Sequence, residues 1–166
     1  MGGWGSETGV MAAYVAAVAA GLWALWQARR IHWLVALLAL PGTLAHEACH
    51  WLLGKLLNGQ PTRFTVWPRW EGRGLVLGAV AFANLRWYNA FFVGLAPLAL
   101  LPAAYALFRW RLASQPTFRG SEAALAFLIA NLIFAAVPSG QDLRIAARSP
   151  VGWLLLAAGL AWAWVR

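Results

Sequence analysis

Apolar residues fall in five stretches, separated by short polar, charged or glycine-containing breaks. The first runs from about Thr8 to Trp26 and is closed by Arg29 and Arg30. The second runs from Ile31 to Leu57, with Pro41-Gly42 near its middle, where a kink is expected. The third spans Tyr88 to Phe108 and ends at Arg109 and Arg111. The fourth begins at Ser121, a favourable N-cap with Glu122 in the first turn, and stops at Pro138. The fifth runs from Pro150, a residue suited to a first turn, to Val165. Each pattern predicts a helix. Crossing a hydrocarbon core takes about 20 residues, so the fourth and fifth are short for that task.

Asn58 to Asn84 has another character. Arg63, Phe64, Thr65, Val66 and Trp67 are β-prone, Glu71-Gly72-Arg73-Gly74 is a turn signal, and Leu75 to Phe82 is apolar with β-branched members. The pattern predicts a β-hairpin from Thr62 to Ala83. An open hairpin edge such as Phe64-Thr65-Val66 can bind an extended peptide by adding a strand; an ordinary connecting hairpin fits the residues equally well. The chain therefore reads as a mostly α, single-domain helix bundle over residues 1–166, with about five membrane spans and a small β-hairpin between the second and third.

Composition explains why these helices should meet lipid. Hydrophobic residues make up 62% of the 166, charged residues 11%, and the mean hydropathy is +0.64. A soluble domain of this size needs more polar surface to cover its core. The expected setting is thus integral, in a prokaryotic plasma membrane. The net charge of +8 would point to nucleic acid in a soluble protein, but the arginines lie between apolar runs, where lipid head groups would meet them. No nucleic-acid partner is expected. Trp23, Trp26, Trp87, Trp110 and Trp164 fall near span ends, as an interfacial aromatic belt would place them. Cys49 is alone, which excludes an intrachain disulfide. The stretch before the first apolar run has Glu7 and no basic residue, so that run reads as a retained span, with cleavage between Ala12 and Ala20 as the alternative.

The chemistry is concentrated in His46-Glu47-Ala48-Cys49-His50, an H-E-x-x-H pattern inside the second stretch. Residues four apart share a helix face, so His46 and His50 can present their imidazoles to one zinc ion. Glu47 borders that face and is placed to act as a general base. Ionisable side chains at membrane depth are costly and mark function by default, although a structural polar cluster between helices is the plainer reading. Catalytic zinc usually takes three protein ligands. The remaining carboxylates are Glu7, Glu71, Glu122 and Asp142. Glu7 is terminal, Glu71 lies in the hairpin turn, and Glu122 reads as a helix-start charge. Asp142 follows the break Pro138-Ser139-Gly140 and is the expected third ligand; its alternative role is to cap a short helix from Leu143 to Arg148. His32 reads as interfacial, Cys49 as packing, and Thr43 as either a support for Glu47 or a cap for a helix restarting after Pro41-Gly42.

The run from Leu44 to His50, followed by Gly59 and a hairpin, resembles the first motif of the site-2 protease family of membrane-embedded zinc metalloproteases. Asn131 to Asp142, with Pro138 between, resembles that family's second, metal-binding motif. Gly94 to Pro102 is similar to the Gly- and Pro-containing helix usually found between the two. The family's second motif is typically Leu-Asp-Gly, whereas this chain has Gln141-Asp142-Leu143. The resemblance implies cleavage of a transmembrane protein or peptide substrate, held along the hairpin. It also offers Asn131 as a donor to the carbonyl oxyanion, beside the simpler role of an interhelical hydrogen bond. Two other functions fit the residues: a catalytically silent membrane protein that binds a partner helix, and a metal or proton pathway protein.

Overall fold

The computed structural model describes residues 4–72, 74–114 and 120–165. Arg73, in the expected hairpin turn, and the side chain of Glu7 lie outside the described residues. The fold is mostly α. Eight helices are described: α1 (Trp4–Ala28), α2 (His32–Leu38), α3 (Leu40–Leu56), α4 (Ala90–Gly94), α5 (Leu100–Ala113), α6 (Gly120–Ala135), α7 (Gly140–Ala147) and α8 (Pro150–Val165). The helix α6 lies at the centre, packed against α1, α3 and α5, while α4 packs against α7. Leu25 and Ala28 of α1, Val35 and Ala39 around α2, and Ala130 of α6 form a buried apolar cluster.

The second and third apolar stretches are each broken. The second divides at Ala39, whose φ of −87° and ψ of 1° end α2 and begin α3. Pro41 supplies no N–H, so the break falls before it, in the turn its ring would otherwise disrupt. Thr43 accordingly lies inside α3 and does not cap it; its N–H bonds the Ala39 carbonyl at 2.7 Å. The third stretch divides into α4, a 3-10 turn (Ala96–Ala99) containing Pro97, and α5. The fourth is α6, with Ser121 inside the helix and Glu122 paired with Arg111 of α5. Among the described residues, one helix, Thr8–Ala28, can cross a membrane by length and composition, and α6 with α7 passes the same test as a pair bent by 47°.

The hairpin forms in two sections. β1 (Pro61–Thr65) pairs with β4 (Ala79–Phe82), and β2 (Arg69–Glu71) pairs with β3 (Gly74–Val76), both antiparallel. Pro68 between β1 and β2 cannot donate to a ladder, which accounts for the interruption. Asn89, fully buried, ties the hairpin base to the helices: its Nδ2 donates to the Leu57 and Asn84 carbonyls at 3.1 and 3.0 Å. At the far end, Leu75 and Leu77 lean on the apolar cluster, and the Trp70 ring meets His32 edge-on at 4.6 Å. The hairpin thus lies across the bundle. It does not project from it.

Candidate metal centre

One face of α3 carries His46 and His50, and α7 brings Asp142 to them from across the bundle. The approach of α7 requires Gly94 on α4, because a Cβ there would stand 2.6 Å from the Asp142 carbonyl oxygen and 2.9 Å from the Ala146 nitrogen. Asp142 is the third residue of α7 and forms a capping box. Its Oδ2 accepts from the Ser139 N–H at 2.7 Å, while its own N–H donates to Ser139 Oγ at 3.2 Å. Asp142 is therefore not the N-cap of a helix from Leu143: the helix starts at Gly140 behind Ser139, and Asp142 reciprocates that cap from the third position, which fixes its carboxylate facing the imidazoles. Oδ2 lies 3.4 Å from His46 Nε2, and Oδ1 lies 3.2 Å from His50 Nε2.

The outer nitrogens set the protonation pattern. His46 Nδ1 donates to the Ala135 carbonyl at 2.6 Å, and His50 Nδ1 to the Val93 carbonyl at 2.8 Å. A carbonyl can only accept, so each Nδ1 carries a proton, and a ring in its neutral form then turns a bare Nε2 inward. Those two Nε2 atoms are 3.2 Å apart, with a carboxylate beside them. Lone pairs so close repel unless a proton or a metal cation lies among them. The spacing fits a metal: the edge of a tetrahedron with bonds of about 2.1 Å is roughly 3.4 Å. Imidazoles anchored through Nδ1 to carbonyls are also the usual outer support of metal-binding histidines. His46, His50 and Asp142 can therefore hold a metal ion, their ligand atoms lying within 4.8 Å of one another.

Glu47 stands outside that ligand group. It is 6% exposed and shares with the three a cavity of about 500 Å³, within the usual size range of small-molecule sites, roughly 300–1,000 Å³. Leu75 to Val80 and Phe82 form the strand side of this cavity, and Ala135 and Val137 to Asp142 the helical side. Gly78 lies directly against Glu47, where a Cβ would stand 2.7 Å from both its Cγ and its Oε1. Gly78→Ala must therefore displace the carboxylate. The three candidate ligand residues are untouched by this change, so the metal content of the purified variant should equal that of the native protein, read by metal analysis.

Phe64 and Thr65 sit on β1 and Val66 just beyond it, and none of the three lines the cavity. Phe64 packs edge-on against Trp51, and the strand side of the cavity is taken by the arm from Leu75 to Phe82. Asn131 is fully buried on α6; its Oδ1 accepts from the Gly42 N–H at 3.3 Å, and its Nδ2 donates to the Phe127 carbonyl at 3.1 Å. It links α6 to the first turn of α3 at the buried Gly42 and is not among the cavity-lining residues. Thr43 lines the cavity one turn before Glu47, whereas Cys49 does not. Sequence reading missed Ser139, although Ser139-x-x-Asp142 has capping-box spacing. It also missed Gly78 and the two carbonyls that orient the imidazoles, for which a sequence offers no signal. No protein-family model, curated protein or solved structure matches the chain.

Proposed function

We propose that this chain is a membrane-embedded zinc endopeptidase acting on transmembrane polypeptides. The observation that carries the reading is the convergence of His46, His50 and Asp142 in the same cavity as Glu47, a carboxylate left free of ligand duty. Two nitrogens and one carboxylate suit zinc and leave a fourth position open, as hydrolytic zinc sites do. A bound zinc ion would supply Lewis acidity for a carbonyl and for a water at neutral pH. Glu47 takes the proton from the attacking water as its oxygen joins the acyl carbon. The same carboxylate then delivers that proton to the amide nitrogen as the C–N bond breaks, leaving a carboxyl and an amine. The segment from Leu75 to Phe82 aligns an extended substrate beside Glu47 through its backbone groups.

The membrane setting rests on the apolar surface. Trp23, Trp153 and Leu160 are more than 60% exposed, with Leu37, Leu52 and Leu154 among many other outward-facing apolar side chains. So broad an apolar surface would drive association in water. Five crossings account for it: α1, α2 with α3, α4 with α5, α6 with α7, and α8. Protein reconstituted in lipid vesicles should cleave a co-reconstituted transmembrane segment, lose that activity on metal chelation, and regain it with added zinc. Cleavage that persists after complete removal of metal would refute the proposal.

A further inference from the structure

Five ionisable side chains line the cavity: Arg29, His46, Glu47, His50 and Asp142. His46, His50 and Asp142 form the ligand group, and Glu47 stands beside it. Arg29, the cation that closes the first apolar stretch, has no part in that chemistry, and its neighbour shows what an ordinary span-end arginine does. The Arg30 guanidinium turns back over Trp26 of the preceding helix α1, 5.9 Å from the ring centroid. Arg29 instead crosses to α6 and lies 4.6 Å from the centroid of the Phe134 ring, itself part of the cavity wall. The ring face attracts the cation, and a guanidinium so placed still carries N–H donors in a planar fork for a planar acceptor.

Among the described residues no carboxylate forms an ion pair with Arg29. Glu71 pairs with Arg69, Glu122 with Arg111, Asp142 with Ser139 and the imidazoles, and Glu47, in the same cavity, is not within ion-pair distance of the guanidinium. An exposed cation at the cavity wall with no ion-pair partner among the described residues favours a ligand that brings one, and the planar fork of guanidinium matches a carboxylate. Resting on the peptidase reading, we propose that Arg29 anchors an acidic side chain of the substrate, so that the cavity selects segments with Asp or Glu near the scissile bond.

The test uses paired transmembrane peptides that differ only by Asp or Asn, the position being moved along the flanks of the cleavage site. Binding is measured to zinc-loaded Glu47→Gln protein in nanodiscs of uncharged lipid, and cleavage by the zinc-loaded native protein in the same discs. At one position the Asp peptide should bind at least about tenfold more tightly than its Asn partner. Arg29→Gln, made in the same background, should erase that difference while zinc content and Asn-peptide affinity stay unchanged. Arg29→Lys, which keeps charge and loses the planar fork, should retain only part of it. Equal affinity for both peptides at every position overturns the anchor, as does a preference that survives Arg29→Gln. So does an Arg29 requirement that appears only when anionic lipid is added, which would mark a head-group contact. If the native protein cleaves the peptides without acidic preference, the anchor falls and the peptidase stands. If it cleaves neither, both fall.

Discussion

Glu47→Gln should bind about one zinc per chain and lose most of its ability to cleave a transmembrane segment, by roughly 10²–10⁴-fold in kcat. The expectation follows from the separation of tasks in the cavity. His46, His50 and Asp142 supply the ligand atoms, and Glu47 lines the same space without belonging to that group. An amide of the same shape keeps the contact with Gly78 and the packing of α3, but it cannot accept a proton from water. Substrate affinity should therefore change little while turnover collapses. Metal analysis together with single-turnover cleavage separates the two effects. Full cleavage by the variant would assign the base to another residue.

Much of this site was legible in the sequence because its parts are local. The spacing of His46 and His50 is a helical repeat, and α3 holds both residues as that spacing requires. Asp142 was reachable because carboxylates are so scarce in the chain and because it follows a proline and glycine break. The hairpin was legible from its β-prone arms and its turn. What escaped reading depends on contacts between distant segments. Which hairpin arm meets the cavity is decided by Leu75 and Leu77 settling on the apolar cluster, and alternation along a short strand does not reveal that choice. Asn131 opens the stretch that ends at Asp142, yet its amide is taken up by the buried N–H of Gly42, an end group of α3 made available by the break at Ala39.

The helix breaks illustrate the same divide. Pro41 announced a kink, but the turn falls at Ala39, since a proline is tolerated in the first turn of a new helix and so sits just inside α3. In the third stretch Gly94 and Pro97 were visible as residues, while the reason for Gly94 lay elsewhere, in the backbone of α7 pressed against it. Arg29 read as a flanking charge because nothing local distinguishes it from Arg30. Their different partners, Phe134 and Trp26, appear only in three dimensions.

The second large effect is expected at Asp142. Asparagine at this position can still accept the Ser139 N–H and keep α7 capped, but it offers no charge and is a poor zinc ligand. Asp142→Asn should weaken zinc binding by more than about 100-fold, beyond the 10–100-fold typical of outer-shell changes. Unfolding of the metal-free protein should move little, because the cap survives. Ser139→Ala supplies the contrast: it removes the cap, costs about 1 kcal/mol of stability in the metal-free protein, and reduces zinc affinity only through looser placement of the carboxylate. A metal-affinity order in which Ser139→Ala falls below Asp142→Asn would mean that the carboxylate serves α7 alone.

Zinc K-edge absorption of the purified, zinc-loaded protein tests the central claim most directly. The expected spectrum shows two imidazole nitrogens and oxygen donors at about 2.0–2.1 Å, with one imidazole lost in His50→Ala. Failure to take up stoichiometric zinc, or a coordination shell without imidazole, would contradict the metal centre and the hydrolysis built on it.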